Sequence, residues 1–156
     1  MSEALDQLAK DEGCYYDSDK ADAAVNFFAK MLKIPKGPKA GESFKLLAWQ
    51  EEIVRRLFGW IREDGTRRYR SCYIEIPKKN GKSNFIGGLA SLLLCASREP
   101  QPEIYIASGS RDQCRHIYGA AASVCSMSPQ LSKMTQQRDS KQTIFKDFKA
   151  RNKTQL

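Results

Sequence analysis

The stretch YIEIPKKNGKSN at 73–84 joins one apolar run to another and closes with Gly81, Lys82, Ser83 and Asn84. Those types suit phosphate chemistry. A glycine lets the main chain approach an anion, a lysine ammonium reaches β- and γ-phosphates, and a serine hydroxyl completes a Mg²⁺ shell. The full pattern of such a loop is G-x-x-x-x-G-K-[ST], and Ile76 stands where its first glycine would be. That exchange is tolerable, because the N–H groups that cradle the anion come mainly from the residues just before the following helix. Pro77, Lys78, Lys79 and Asn80 complete the loop, and the lysine pair adds charge where phosphates would lie. With 10 Gly, 15 Lys and 18 Ser plus Thr, a Gly-Lys-[Ser/Thr] triplet arises by chance in about one such chain in nine, so context must decide. The plain alternative is a lysine-rich turn with no ligand.

The context is a strand, a loop and a helix. Residues 72–77 (CYIEIP) are aromatic and β-branched and stop at a proline, which predicts a strand. From Lys82 the pattern turns helical to about Ser97, and Pro100 ends it. A second β-rich run covers 103–108, and 110–126 has apolar residues at helical spacing. Strand, loop, helix, strand, helix is the start of a doubly wound α/β sheet. Upstream, 17–33 and 44–60 predict amphipathic helices, the second ending near Gly59, and the Pro/Gly-rich 34–43 reads as a linker. REDGTRRYR at 62–70 carries a D-G turn signal and reads as a surface turn. The expected divisions are a helical leader and linker at 1–45, the first part of an ATPase-like domain at 46–134, and a polar basic tail at 135–156, with one strand near 142–145.

Composition narrows the classes. The 156 residues fit one domain with an ordinary core. The acidic, polar N-terminus does not read as a signal peptide, and the longest mostly apolar run, 85–96, is too short to span a bilayer, so a soluble, intracellular protein is expected. Five cysteines without C-x-x-C spacing predict free thiols rather than a disulfide framework or zinc site. The single histidine, His116, removes most triad and metal chemistries. The net charge of +8 is uneven: residues 1–40 hold six basic and seven acidic side chains, whereas 41–156 hold 20 and 11. Such a surplus suits a polyanion such as nucleic acid, or simply a solvated basic surface.

Taken in order, WQEEIVRRLFGW, GTRRYRSCYIEIPKKNGKSN and IYIASGSRDQCRHIY resemble the ATPase motor of tailed-phage terminase large subunits, which drive DNA into a procapsid and cut it. The resemblance runs from about Tyr15 to about Ser126. It implies a P-loop NTPase fold of the additional-strand ATPase type, here with N-terminal helices and a truncated sheet, using ATP and Mg²⁺. Terminases commonly lack the first loop glycine and carry a basic residue early in the loop. Trp49 and Gln50 match the adenine-contacting segment; the plain alternatives are helix-face packing for Trp49 and surface exposure for Gln50. Lys78 matches a position where the family often has arginine, acting on the γ-phosphate; lysine keeps the charge and loses the planar fork. Pro77, Lys79, Asn80, Gly81, Lys82, Ser83 and Asn84 match the rest of the loop, with Lys78 and Lys82 as catalytic cations and Ser83 as the metal ligand. The resemblance also implies double-stranded viral DNA, a terminase small subunit and a portal as partners, a homo-oligomeric ring when intact, and the bacterial host cytoplasm. After Ser126 no apolar run ends in the acidic pair that ATP hydrolysis requires, and no aspartate-rich nuclease follows. The expectation is therefore a fragment that binds ATP weakly and turns it over negligibly. The alternative is a small basic nucleic-acid-binding protein with an incidental Gly-Lys-Ser.

Overall fold

The structure, a computed structural model, describes residues 2–77, 80–96 and 102–146. Lys78 and Lys79 of the loop, the expected helix end at Ser97 and Pro100, and the last part of the basic tail lie outside the described residues. The chain forms two compact units, Met1–Phe27 with Lys45–Glu75, and Phe28–Phe44 with Ile76–Leu156.

The first unit begins with a helix that the sequence did not suggest, α1 (Ser2–Asp11). Its Ala9 is fully buried and clusters with Cys14 and Trp60. A short strand β1 (Tyr15–Tyr16) then leads into α2 (Ser18–Met31), whose start is capped by Asp17: the Lys20 N–H donates to its carboxylate at 2.9 Å. That bond, with the Lys20 ammonium 3.4 Å away, holds the Asp17 carboxyl below its usual range. The amphipathic helix expected over 44–60 forms as α3 (Ala48–Gly59) and runs directly into β2 (Trp60–Ile61), which pairs antiparallel with β1. Val54, Trp60 and Ile61 are buried, and the Tyr16 ring meets Trp60 edge-on at 5.5 Å.

The D-G turn also forms as read. The Asp64 carboxylate accepts from the Thr66 N–H at 2.8 Å and from its hydroxyl at 2.6 Å, and Arg62 N–H donates to Thr66 O at 2.9 Å. The returning chain brings Arg68 back to Trp60 O and to Glu12, which it grips through two bonds of 2.9 and 3.0 Å. The Arg68 fork depresses the Glu12 carboxyl. On α3, Arg55 pairs with Asp22 and Glu51, and Arg56 with Asp6 and Glu52.

The second unit is organised around α4 (Lys82–Ala96) and α5 (Arg111–Met127). Ser110 caps α5, accepting from the Gln113 N–H at 3.3 Å. A one-turn helix α6 (Leu131–Met134) follows, and then an antiparallel hairpin of β3 (Thr135–Arg138) and β4 (Thr143–Lys146), joined through a 3₁₀ turn at Asp139–Lys141. The strand foreseen near 142–145 is thus β4; its partner at 135–138 was not foreseen, because TQQR carries no β-forming signal. The Tyr118 hydroxyl donates to Asp139, and the Gln137 amide donates to Ala122 O and Ser126 Oγ, tying the hairpin to α5.

The expected strands at 72–77 and 103–108 carry no ladder among the described residues. Their β-rich composition sets an extended preference, but a strand exists only when a neighbour takes up its N–H and C=O groups. Tyr73 donates to Glu75 and Tyr105 to Glu103, contacts two residues apart on one side of the chain. Both tyrosines are almost fully exposed.

Candidate phosphate-binding site

The site is the entry to α4. Asn80 donates from its side-chain amide to Pro77 O at 3.3 Å, closing the last turn of the loop. Gly81 follows with φ +73°, in the left-handed region, and its carbonyl accepts the first helical bond, from Phe85 N–H at 3.1 Å. A side chain at Gly81 would meet nothing within 4 Å. The backbone angle, rather than lack of room, is therefore what calls for glycine. The N–H groups of Lys82, Ser83 and Asn84 precede the first residue that bonds within the helix and point outward from its end. No acidic residue lies in that first turn. Pro77, Asn80, Gly81, Lys82 and Ser83 are exposed and Asn84 is half-buried.

Behind this end, α4 is held against its surroundings at unusually short range. Phe85 is fully buried and lies 6.0 Å from the Phe28 ring, at 33°. Next come Gly87 and Gly88. A Cβ on Gly87 would lie 2.9 Å from the Ala121 backbone nitrogen, and one on Gly88 would lie 2.5 Å from the Phe28 ring. The two glycines let α5 and the Phe28 side chain close on α4 at adjacent positions, about 100° apart around its axis. One turn further on, Ser91 returns its hydroxyl to Gly87 O at 2.9 Å and lies 3.5 Å from Cys125 Sγ. Sequence reasoning passed over this pair. The available signal was two adjacent glycines inside a helical pattern, which cost helix propensity and so imply a packing reason.

Trp49 and Gln50 belong to the first unit, in the first turn of α3. Trp49 is half-buried. Gln50 is only 3% exposed, contrary to the surface position considered for it, and its Oε1 accepts from Leu47 N–H at 3.0 Å. It is a buried helix-capping side chain whose amide oxygen is already engaged and whose amide nitrogen that bond leaves as a donor.

The geometry suits a polyphosphate. It offers outward N–H groups, a left-handed glycine, a lysine and a hydroxyl at adjacent positions, and no carboxylate to repel the anion. For a metal the site offers one ligand, Ser83, and among the described residues no group of three His, Cys, Asp or Glu is placed to hold an ion. Mg²⁺ would therefore have to arrive shared with the phosphate oxygens, as an ion of that kind commonly does. The five cysteines are free thiols. Burial pushes Cys95 up to about 12, so it is a packing residue. No helix among the described residues is long and apolar enough to cross a membrane.

A helix entered through Gly-Lys-Ser, packed on a second helix within its own unit, suits a P-loop NTPase type of fold. The family described as terminase large subunit, ATPase domain, matches residues 48–153, and the chain belongs to that family. Among solved structures it is similar to the crystal structure of the HK97 bacteriophage large terminase, with a TM-score of 0.66 at 18% identity over 81% of this chain. The match takes in 25% of that protein, so the chain spans about a quarter of its length. No curated protein matches.

Proposed function

We propose that this chain grips the phosphates of ATP at the start of α4, as the nucleotide-binding part of a motor that moves duplex viral DNA. The observation that carries the reading is Gly81, left-handed at the entry of a helix clamped by Phe85, Gly87 and Gly88. A fixed helix end keeps its N–H groups aimed before the anion arrives, which removes an ordering cost from binding. Lys82 would meet the β- and γ-phosphates, Ser83 would complete the Mg²⁺ shell, and the Asn80 and Asn84 backbone would line the cradle. Lys78 takes the place of the family arginine as a compact charge on the γ-phosphate, with Lys79 beside it. By the family resemblance, Trp49 and Gln50 would contact the adenine. Hydrolysis needs a carboxylate strand end to hold the Mg²⁺ waters and orient the nucleophile. The residues after Ser126 offer Asp139 in a 3₁₀ turn and Asp147, and no apolar strand ending in an acidic pair. Binding without appreciable turnover is therefore the expected activity of these residues alone. DNA, the terminase small subunit, the portal and a ring of copies are the partners the family supplies.

The test is a titration of a fluorescent ATP analogue with and without Mg²⁺, comparing wild type with Lys82→Ala. Micromolar to millimolar binding that weakens at least tenfold in the variant supports the reading. Binding that is absent, or indifferent to Lys82, sinks it and favours a basic nucleic-acid-binding protein with an incidental triplet.

A further inference from the structure

The segment read as a linker, 34–43, is a braced loop. Ile34 N–H donates to Glu42 O and Gly41 N–H returns to Ile34 O, both at 2.9 Å, and Lys33 pairs with Ser43 in an antiparallel bridge. Ala40 N–H to Gly37 O at 3.0 Å and Glu42 N–H to Lys39 O at 3.1 Å shape its tip. Its feet are fixed: Leu32 and Phe44 are buried, Phe44 N–H donates to Leu32 O at 3.0 Å, Phe44 meets Phe28 edge-on at 5.7 Å, and the Ser43 hydroxyl donates to Ala29 O.

This frame carries a lysine at every third position: Lys30 in the last turn of α2, then Lys33, Lys36 and Lys39. Glu42 is the only acidic residue from 28 to 44. Among the described residues none of these four lysines has an ion-pair partner, whereas Arg55, Arg56 and Arg68 are all matched to carboxylates. Lys36 and Lys39 are exposed at the tip.

We propose that this lysine loop is a contact surface for the phosphate backbone of duplex DNA, read without regard to sequence. The proposal rests on duplex DNA being the polymer the motor handles, and it assigns contact residues for it. Between 33 and 43 there is no arginine to fork onto a guanine and no aromatic ring to stack on a base. Ammonium groups on flexible stems neutralise phosphates as point charges, the sequence-independent part of DNA binding. An acidic protein surface is the poorer match, since protein interfaces favour aromatic and arginine anchors and are depleted in lysine. The backbone brace fixes the lysine stems' origins, so little backbone ordering entropy opposes binding.

The experiment measures fluorescence anisotropy of a short labelled duplex of arbitrary sequence across a salt series. It compares wild type with Lys33→Gln/Lys36→Gln/Lys39→Gln, the matching triple Lys→Arg variant, and the charge-matched control Arg115→Gln/Lys133→Gln/Lys141→Gln. Removing three phosphate contacts should flatten the log affinity against log salt slope by about 2.7. Wild type would then lose about 40-fold more affinity than the glutamine variant between about 50 and 200 mM salt. The arginine variant should bind like wild type and the control should change the slope much less. Equal loss in the control would overturn the proposal in favour of diffuse surface charge. Absence of duplex binding by wild type at low salt, or tighter competition by polyglutamate than by unlabelled duplex, would overturn it too. The ATP-analogue titration is run on the same variants. Unchanged nucleotide binding in the glutamine variant separates this surface from the phosphate loop, so either reading can fail while the other stands. Circular dichroism melting confirms that each variant is folded.

Discussion

The helix pair α4–α5 and the segment 102–108 lie in the same unit and are both rich in apolar residues, yet one is closed and the other open. In the pair, Phe85, Leu92, Val124 and Cys125 are buried, and Gly87 lets main chain approach main chain. In the segment, Tyr105 is 84% exposed and no backbone group enters a ladder among the described residues. The segment lines one side of a cavity of about 310 Å³, with Ser91, Leu94 and Tyr118 from the helices and Ile144 and Phe145 from the hairpin. A helix satisfies its own N–H and C=O groups and needs only side-chain partners. An extended segment needs a neighbouring backbone as well. The difference says that the helix pair behind Gly81 is closed by its own side-chain packing.

That contrast can be broken or sharpened by substitution. The largest effect should come from Phe85→Ala, which empties the space against Phe28 and should cost about 3–5 kcal/mol in urea unfolding. A cost below about 1 kcal/mol would mean the clamp is not tight. Gly87→Ala drives a methyl toward the Ala121 backbone and should cost about 1–3 kcal/mol, with a matching drop in melting temperature.

Alkali probes the same interface. Cys95 is pushed up to about 12 from an ordinary value near 9 by burial, and Tyr118 up to about 12 from 10 by burial and its bond to Asp139. Above about pH 9 the unfolded chain releases the Cys95 proton while the folded chain keeps it, so stability falls as pH rises toward 12. The expected slope is about 1.4 kcal/mol per pH unit from this thiol. A Cys95→Ala variant should show a flatter decline, and an identical one would remove the thiol from the account.

Gly81→Ala should cost about 1–2 kcal/mol through its left-handed angle alone, since the space is open, and should weaken ATP-analogue binding more than it lowers stability. Smallest of all, Tyr105→Ser should change stability by less than about 0.5 kcal/mol, because the ring is packed on little. A loss of more than about 2 kcal/mol there would show that the segment is closed in solution.

Helices were the legible part of this chain. Asp17 and the apolar spacing of 17–33, 44–60 and 110–126 announced α2, α3 and α5 to within about four residues, and the helical pattern from Lys82 announced α4, because caps and helical period are local properties. The D-G turn at 64–65 was legible for the same reason. α1 was hidden by its polar composition, and its burial through Ala9 depends on nearby Cys14 and on Trp60, which is remote in sequence. The burial of Gln50 was not legible, because nothing local says that an amide at the third helical position will turn back onto Leu47 N–H and be covered.

The order of types around Gly81, Lys82 and Ser83, set between two apolar runs, was enough to anticipate a glycine turn that opens a helix. Turn chemistry and helix entry are decided within a few residues. Only the tertiary structure decided that Gly87 and Gly88 are the places where α5 and Phe28 close on that helix, and that 34–43 is a braced loop rather than a slack linker. It also decided that, among the described residues, the β-rich runs on either side of α4 stand without ladders. Each of these is a matter of which distant backbone lies alongside. That is fixed by close packing and by hydrogen bonds between segments far apart in the chain, which no local pattern of residue types encodes.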